Sequence, residues 1–558
     1  MRFVIVALLP LAALAQAPAV QASAAQPQIA PTVEIQVLAT TDLHGNILPW
    51  DYYAAAPAAR GLAKVATLIR AARTANPNTL LIDVGDTIQG TPLAGLHATR
   101  VREGQALGAD PMMKAMNELG YAAMTVGNHE FNFGLKVLNK ARDEAQFPWL
   151  SANTQSTGVT RPFESLIVRT VGGVKIGVFG ITTPNIPMWE KPENYAGYRF
   201  DSPVETARRV VAELRAQKVD LVIGAVHAGL SSPGGDPTEN MADTIARDVP
   251  GIDAIYYGHT HQVVTDMRVG NVMLVQARNW GGSLAQSTFT FAKLPDGTWR
   301  LVGKKNKLVP VMETTALDPA IAKIAEPYHQ AAERWLATRI ATAPEALDAA
   351  HGHIEDSALV DAIHQVQLHY AKADVSLTAL FNPRLKIAAG PVTVRDAAGL
   401  YLYENELYAI DGNGAMLKAA LENAARFFQT CKDAGCTTGP LLNGRFPGYN
   451  FDMAQGVEYE IDLRAPEGQR IKNLRYKGAP LADTQKLRIA VNDYRAGGSG
   501  GYTMFKGAPV AWRSHREVRD LIIEYYTEHK MLPAKPDQNW RIVPEAARQT
   551  LEQELRRP

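Results

Sequence analysis

Seven side chains of metal-ligating type fall in five short stretches: Asp42 and His44 in TTDLHGN, Asp86 in VGDT, Asn128 in VGNHEFN, His227 in AVHAG, and His259 and His261 in GHTHQ. Apolar residues precede each stretch, and a glycine or a turn follows. A lone histidine at a strand end is usually a hydrogen-bonded structural residue, but five such loops in order along half a chain resist a packing explanation. A carboxylate at the mouth of a buried strand, as at Asp42, costs free energy unless something compensates it. A divalent cation would. Three hard oxygen donors (Asp42, Asp86, Asn128) with four imidazoles suit Mn²⁺, Zn²⁺, Fe or Co better than Ca²⁺ or Mg²⁺. Seven ligands exceed the needs of one tetrahedral ion and match two ions roughly 3.5–4 Å apart with a bridging carboxylate, for which Asp86 is the natural choice.

These residues need a scaffold that delivers them to one place. EIQVLAT, TLLIDVG, AAMTVGN, KIGVFGIT, VDLVIGAVHA, IDAIYYGH and VMLVQAR read as short buried strands. Between several of them the pattern predicts helices over 62–72, 110–119, 133–145 and 204–216. Strands alternating with helices mean a layered α/β domain, and ligands in such sheets bind beyond the strand ends. The expected organisation is a leader at 1–24, a metal-binding α/β domain at 30–310, and an alanine-rich helical linker or hinge at 311–350, broken at Pro327 and Pro344. A second α/β domain at 351–540 and a polar C-terminal tail at 541–558 complete it. The leader has one basic residue, Arg2, then an apolar run over 3–14 and small residues, with cleavage expected after Ala15 or Ala24. That run is too short to span a bilayer, so it reads as a secretory signal and the expected location is a bacterial periplasm.

Lys and Arg total 57 against 56 Asp and Glu, which argues against duplex nucleic acid or an anionic membrane as the main partner. The two cysteines, Cys431 and Cys436, have no neighbouring metal-type cluster, which speaks against a zinc knuckle. In an oxidising compartment a disulfide between them is expected.

DLHGN, GD, GNHEF, VHAG and GHTHQ resemble the calcineurin-type metallophosphoesterases, in particular the 5′-nucleotidase family, over nearly the whole chain beyond the leader. The resemblance implies a calcineurin-like layered α/β sandwich followed by a 5′-nucleotidase-type substrate domain. It assigns Asp42, His44 and His261 to one ion, Asn128, His227 and His259 to the other, and Asp86 to both. His261 stands where relatives often carry Gln. His129 matches the histidine that stabilises charge on the phosphate. Three residues on, where the 5′-nucleotidases keep an orienting Asp, this chain has Asn132, and a neutral amide cannot stabilise an imidazolium as a carboxylate does. NHEFNFG, LYLYENEL, YNFDMAQGVEYEIDL and NDYRAGGSGGY look most like the branch that acts on 2′,3′-cyclic nucleotides and 3′-nucleotides.

The likeness implies a small-molecule nucleotide substrate whose base stacks on aromatics of the second domain, each stack being worth roughly 1–3 kcal/mol. The expected faces are Tyr403 or Tyr449 (with Phe451 nearby) on one side and Tyr494 or Tyr502 on the other. Arg384, in FNPRL, occupies the place of a phosphate- or sugar-contacting arginine, although the glycine-rich stretch usual before it is missing. The expected reaction is in-line attack on phosphorus by a hydroxide held between the ions. It opens the 2′ ester of a cyclic substrate and then releases nucleoside and phosphate from a monomeric enzyme. Asn128 and His129 would hold a phosphoryl oxygen. Competing expectations are a 5′-nucleotidase or nucleotide-sugar diphosphatase, a thiosulfonate hydrolase of sulfur oxidation, and an exported binding protein without chemistry, which the complete donor set disfavours.

Overall fold

The strand Thr32–Thr40 is buried on both faces beyond its first residues: Ile35, Val37 and Ala39 pack to one side and Leu38 to the other. A strand apolar on alternate faces must be covered on both, and the computed structural model shows how. It describes residues 31–158, 162–231, 238–403, 405–433 and 435–555. The expected leader at 1–24 lies outside the described residues.

Two six-stranded sheets pack face to face. The first runs in the order Trp299–Pro310, Ser283–Lys293, Thr32–Thr40, Thr79–Asp83, Ala123–Thr125, Trp149–Leu150. The second runs Val264–Val269, Val272–Gln276, Ala254–Tyr257, Leu221–His227, Val174–Thr182, Leu166–Val171. Ile35, Val37 and Ile82 of the first meet Val178, Ile223 and Tyr256 of the second in one shared core. Helices Leu62–Ala75, Pro92–Glu103, Pro111–Leu119 and Leu135–Glu144 cover the outer face of the first sheet. Pro203–Ala216 and Ala242–Asp248 cover the second. The central strands of both sheets are parallel, so their C-terminal ends share one edge.

The second domain is built on a five-stranded sheet ordered Asp452–Gln455, Val375–Ala379, Lys486–Asn492, Glu406–Asn413, Val510–Glu517, with a four-stranded sheet beside it. The cysteines Cys431 and Cys436 form a disulfide.

Two expected boundaries change. The connector at 311–350 divides in two. Its helix Pro319–Leu336, capped by Asp318 and carrying Pro327 inside it, buries Ile321, Ala325, Tyr328 and Ala332 against helices of the first domain. After it, Arg339–Ala343 pairs with Gly390–Thr393 as part of the second domain. Glu333 of the same helix accepts from Trp50 Nε1 at 3.0 Å and from Arg395 Nη2 at 2.6 Å, so it clasps both domains. The polar tail at 541–558 is also revised. Trp540–Val543 is a parallel strand of the four-stranded sheet, and helix Glu545–Leu555 buries Ala547 and Leu551 while Glu554 accepts from the backbone of Leu441 and Leu442. Two apolar residues one helical turn apart anchor a segment that composition alone reads as polar.

Candidate metal centre and substrate cleft

Parallel register places Thr40 beside Asp83, Asp83 beside Met124, Val226 beside Tyr257 and His227 beside Thr182. The loops leaving these strands carry the seven donors to one edge, where all seven come together. Five of them hold left-handed backbone: Asp42 (φ 51°), His44 (47°), Asp86 (57°), His259 (74°) and His261 (53°). Such residues cost about 1–3 kcal/mol each and persist only where surroundings over-determine them. Here the loops are stitched together: Asp42 N–H donates to Gly85 O, His44 N–H to Asp86 O and Gly45 N–H to Thr87 O at 2.8–2.9 Å. The fully buried Glu130 accepts the N–H groups of Asp86, Thr87 and Gly127 at 2.6–2.9 Å. Two glycines are obligatory by contact. A Cβ on Gly127 would lie 2.1 Å from Asp86 Oδ1, and one on Gly258 would lie 2.3 Å from Thr41 Oγ1 and 2.9 Å from Asp42 Oδ2.

The ligating atoms converge in two overlapping groups. His44 Nε2 and His261 Nε2 stand 3.0 Å apart, with Asp42 Oδ1 3.5 Å from the latter. Asp86 Oδ2 lies 3.0 Å from His227 Nε2 and 3.8 Å from His44 Nε2, between the groups, and His259 Nδ1 meets Asn128 Oδ1 at 2.9 Å. On three of the four rings the other nitrogen meets an acceptor, His44 Nδ1 at Gln89 O (3.1 Å), His227 Nδ1 at Val84 O (2.7 Å) and His259 Nε2 at Glu239 Oε1 (2.9 Å), while His261 Nδ1 faces Asn279 Nδ2 at 3.3 Å. A carbonyl or carboxylate accepts only from an N–H, so these partners turn the opposite nitrogen's lone pair toward the centre, as second-shell groups do for metal ligands. His227 Nε2 is buried, with Asp86 Oδ2 3.0 Å away. Two ring nitrogens facing each other at 3.0 Å, and a third 3.0 Å from the Asp86 carboxylate, are a donor set that fits divalent cations.

The electrostatics agree. Burial pushes the His44 imidazole down to about 3, leaving it neutral. Burial raises Asp86, but the charges of His227 and His129 outweigh it and hold the carboxyl well below its usual range. Burial likewise opposes charge on His227, yet Asp86 lifts it to about 10. Cation binding there therefore displaces a proton and tightens as pH rises.

His129 packs edge-on against His44, ring centroids 5.0 Å apart, and its Nε2 lies 4.0 Å from Asp86 Oδ2. Asn132 is no mere turn residue: its Oδ1 is 2.5 Å from His129 Nδ1. Sequence reasoning passed over three carboxylates here, Glu130, Glu239 and Glu190. Only Glu130, inside GNHEF, carried a local signal, as a charged residue within a strand-end motif.

A cleft of about 2590 Å³ runs between the domains. Asn128, His129, His259 and His261 line it on one side and Arg384, Tyr403 and Tyr494 on the other. That exceeds an ordinary small-ligand pocket, so a ligand there is held by two walls rather than by enclosure. Tyr403, Tyr449 and Tyr494 are each 43% exposed, and Tyr403 meets Tyr449 edge-on at 6.0 Å. Two expected contacts are corrected. Tyr502 is fully buried, its hydroxyl donating to Asn450 O at 2.9 Å, and Phe451 is buried between Phe427, Phe428 and Trp540. Both support the wall from behind. They do so with the buried Arg495, which donates to Asp452 (2.8 and 2.9 Å), Asn450 Oδ1 (3.1 Å) and Tyr449 O (2.6 Å).

Comparison with known proteins follows the same division. Residues 35–263 match the calcineurin-like phosphoesterase family and residues 339–507 the 5′-nucleotidase C-terminal domain. The chain is 31% identical over 618 residues to a 2′,3′-cyclic-nucleotide 2′-phosphodiesterase/3′-nucleotidase of Yersinia enterocolitica, covering 98% of this chain and 93% of that one. It is 29% identical over 579 residues to the trifunctional nucleotide phosphoesterase protein YfkN of Bacillus subtilis, spanning 93% of this chain but only 40% of that protein's length. The solved 5′-nucleotidase precursor of Thermus thermophilus shares the fold, with a TM-score of 0.59 and 24% identity over 92% of this chain and all of that one.

Proposed function

The chain belongs to the family of 2′,3′-cyclic-nucleotide 2′-phosphodiesterase/3′-nucleotidases, and on that premise we propose that it hydrolyses 2′,3′-cyclic nucleotides to 3′-nucleotides and these to nucleoside and phosphate. The observation that carries the proposal is the convergence of the seven donors at one edge of the sheets, across the cleft from an aromatic wall. Asp42, His44, His261 and Asp86 would hold one divalent cation, and Asp86, Asn128, His227 and His259 a second. When bound, such ions lower the pKa of a water and neutralise charge on the phosphoryl oxygens.

The chain's own residues do the rest. His129, at the mouth of the cation site, would once protonated on both ring nitrogens donate from Nε2 to a phosphoryl oxygen as charge builds there. Tyr403, Tyr449 and Tyr494 offer faces to the base, and Arg384 reaches into the cleft toward sugar or phosphate. We also propose export to a periplasm, which the apolar N-terminal run and the disulfide support, and action as a monomer, since one chain supplies the whole site.

The test is parallel turnover of 2′,3′-cyclic AMP, 3′-AMP and 5′-AMP by the Mn²⁺- or Co²⁺-loaded protein. The first two are expected to be preferred. Preference for 5′-AMP would move the chain to 5′-nucleotidase chemistry, and turnover of none would remove the phosphoesterase reading.

A further inference from the structure

The carboxylate that should orient His129 is missing from position 132, but one stands directly behind it. Asn132 Oδ1 faces His129 Nδ1 at 2.5 Å, and Asn132 Nδ2 donates to Glu190 Oε1 in a close contact. Glu190 lies 58 residues along the chain from Asn132, on the segment after strand Val174–Thr182, and is 8% exposed. Its other oxygen, Oε2, accepts from Asn194 Nδ2 at 2.7 Å, and the same Asn194 nitrogen lies 3.3 Å from the backbone oxygen of Asn132. A backbone oxygen only accepts, so Asn194 has to turn its amino group this way, and Glu190 Oε2 is an acceptor.

The segment is held at both ends of this contact. Glu190 N–H donates to Ile186 O at 2.9 Å, and Trp189 stacks on the ring of His259 at 5.5 Å and 28°. From the second domain, Arg513 Nη1 donates to Met188 O at 2.9 Å.

The orientation of an amide is set by its partners. A carboxylate oxygen receiving from the Asn132 amino group leaves the amide oxygen aimed at His129. That oxygen demands a proton on Nδ1, which places Nε2 toward Asp86 and the cation site as the functional nitrogen. Were Asn132 free to flip, its amino group would ask for a lone pair on Nδ1 and drive the proton to Nε2, the wrong tautomer for accepting a proton there.

We propose that Glu190 is a positioning residue: it locks the Asn132 amide so that His129 keeps a proton on Nδ1 and turns Nε2 toward the cation site as the nitrogen that takes up and returns a proton. This rests on the phosphoesterase reading for its kinetic consequence, not for its geometry. The work of one carboxylate is thus divided between a carboxylate and the amide that relays its preference.

The test is a two-by-two set, wild type, Glu190→Gln, Asn132→Asp and the double variant, assayed zinc-loaded on 3′-AMP, with histidine side-chain ¹⁵N NMR of His129. Gln at 190 offers either an oxygen or an amino group and loses the directional demand, so kcat is expected to fall about 10-fold, with KM within about 2-fold and zinc content unchanged. Asp at 132 sets two carboxylates against each other. Glu190→Gln is therefore expected to raise kcat in that background, reversing the sign of its effect. The ¹⁵N spectrum is expected to show Nδ1–H alone in the wild type and a tautomer mixture in Glu190→Gln. An Nε2–H tautomer in the wild type, or the same loss from Glu190→Gln in both backgrounds, overturns the proposal. If the wild type turns over no nucleotide, the phosphoesterase reading fails and the spectrum alone decides the role of Glu190.

Discussion

On the metal wall of the cleft, Asp42, Asp86 and His227 are buried to 1% exposure or less, five donors hold left-handed backbone, the first two loops are tied by backbone hydrogen bonds, and the Asp86 and Asp42 carboxylates accept the N–H groups of His129 and His259. On the aromatic wall, Tyr403 and Tyr494 stand nearly half exposed, with Tyr449 edge-on to Tyr403 and outside the cleft lining, and the order lies one layer behind them, in Arg495, Asp452, Tyr502 and Phe451. The first wall stores strain to fix atoms within tenths of an ångström, as chemistry at phosphorus requires. The second keeps flat faces accessible on a rigid base, as suits stacking, which tolerates sequence and small displacements.

Substitutions should separate the two walls, and the largest effect belongs to the metal wall. His227→Ala removes the buried Nε2 beside Asp86. Turnover of 3′-AMP is expected to fall by about 10³-fold or more, since cation-assisted stabilisation is worth several kcal/mol, with nucleoside binding in calorimetry unchanged. Next is the base of the aromatic wall. Asp452→Asn leaves the Arg495 guanidinium buried with its charge uncompensated, and denaturant unfolding of the second domain should lose about 3–5 kcal/mol while cation content stays at the wild-type level.

Tyr494→Ala is expected to raise KM by about 10-fold, within the 1–3 kcal/mol of a lost stack, and to change kcat little. Tyr502→Ala should lower the melting temperature instead. Equal KM effects from Tyr494→Ala and Tyr502→Ala would show that the two residues do not divide as face and support.

The smallest effect is remote from both walls. Burial, with the charges of Asp356 and Asp537, lifts the Asp361 carboxyl to about 8. Its unfolded value is near 3.8, so the folded chain retains a proton that the unfolded chain releases between those two pH values. The stability tied to it is fully present below about pH 4 and is lost as pH rises through about 8. Asp361→Asn should therefore unfold like the wild type at pH 4 and be more stable by about 1 kcal/mol at pH 8.5, read from melting curves at the two pH values.

The same contrast explains what the sequence made legible. The donors of the metal wall sit in contiguous motifs at strand ends, where local pattern gives both residue type and place in the fold, and the structure brings all seven to one edge. Their supports do not follow local pattern. Glu190 reaches Asn132 from 58 residues away and Glu239 reaches His259 from 20, pairings that only sheet packing creates. On the aromatic wall, Tyr494 and Tyr502 flank the same glycines and look equivalent in sequence. A turn through Gly498, Gly500 and Gly501, all at positive φ, sends one outward and the other into the core. The connector misled for a similar reason. Its alanines and prolines suggest a broken helical hinge, but Ile321, Ala325, Tyr328 and Ala332 recur at helical spacing and form a docking stripe on one helix that runs through Pro327.

Asp86 stands between the two donor groups, where it would help to hold each of two divalent cations. Elemental analysis of the purified wild type and of Asp86→Ala, with turnover measured on the same samples, tests it most directly. About two cations per chain in the wild type, with loss of both bound metal and turnover in the variant, is the expected result. A wild type without bound cations whose turnover survives Asp86→Ala unaltered would contradict it.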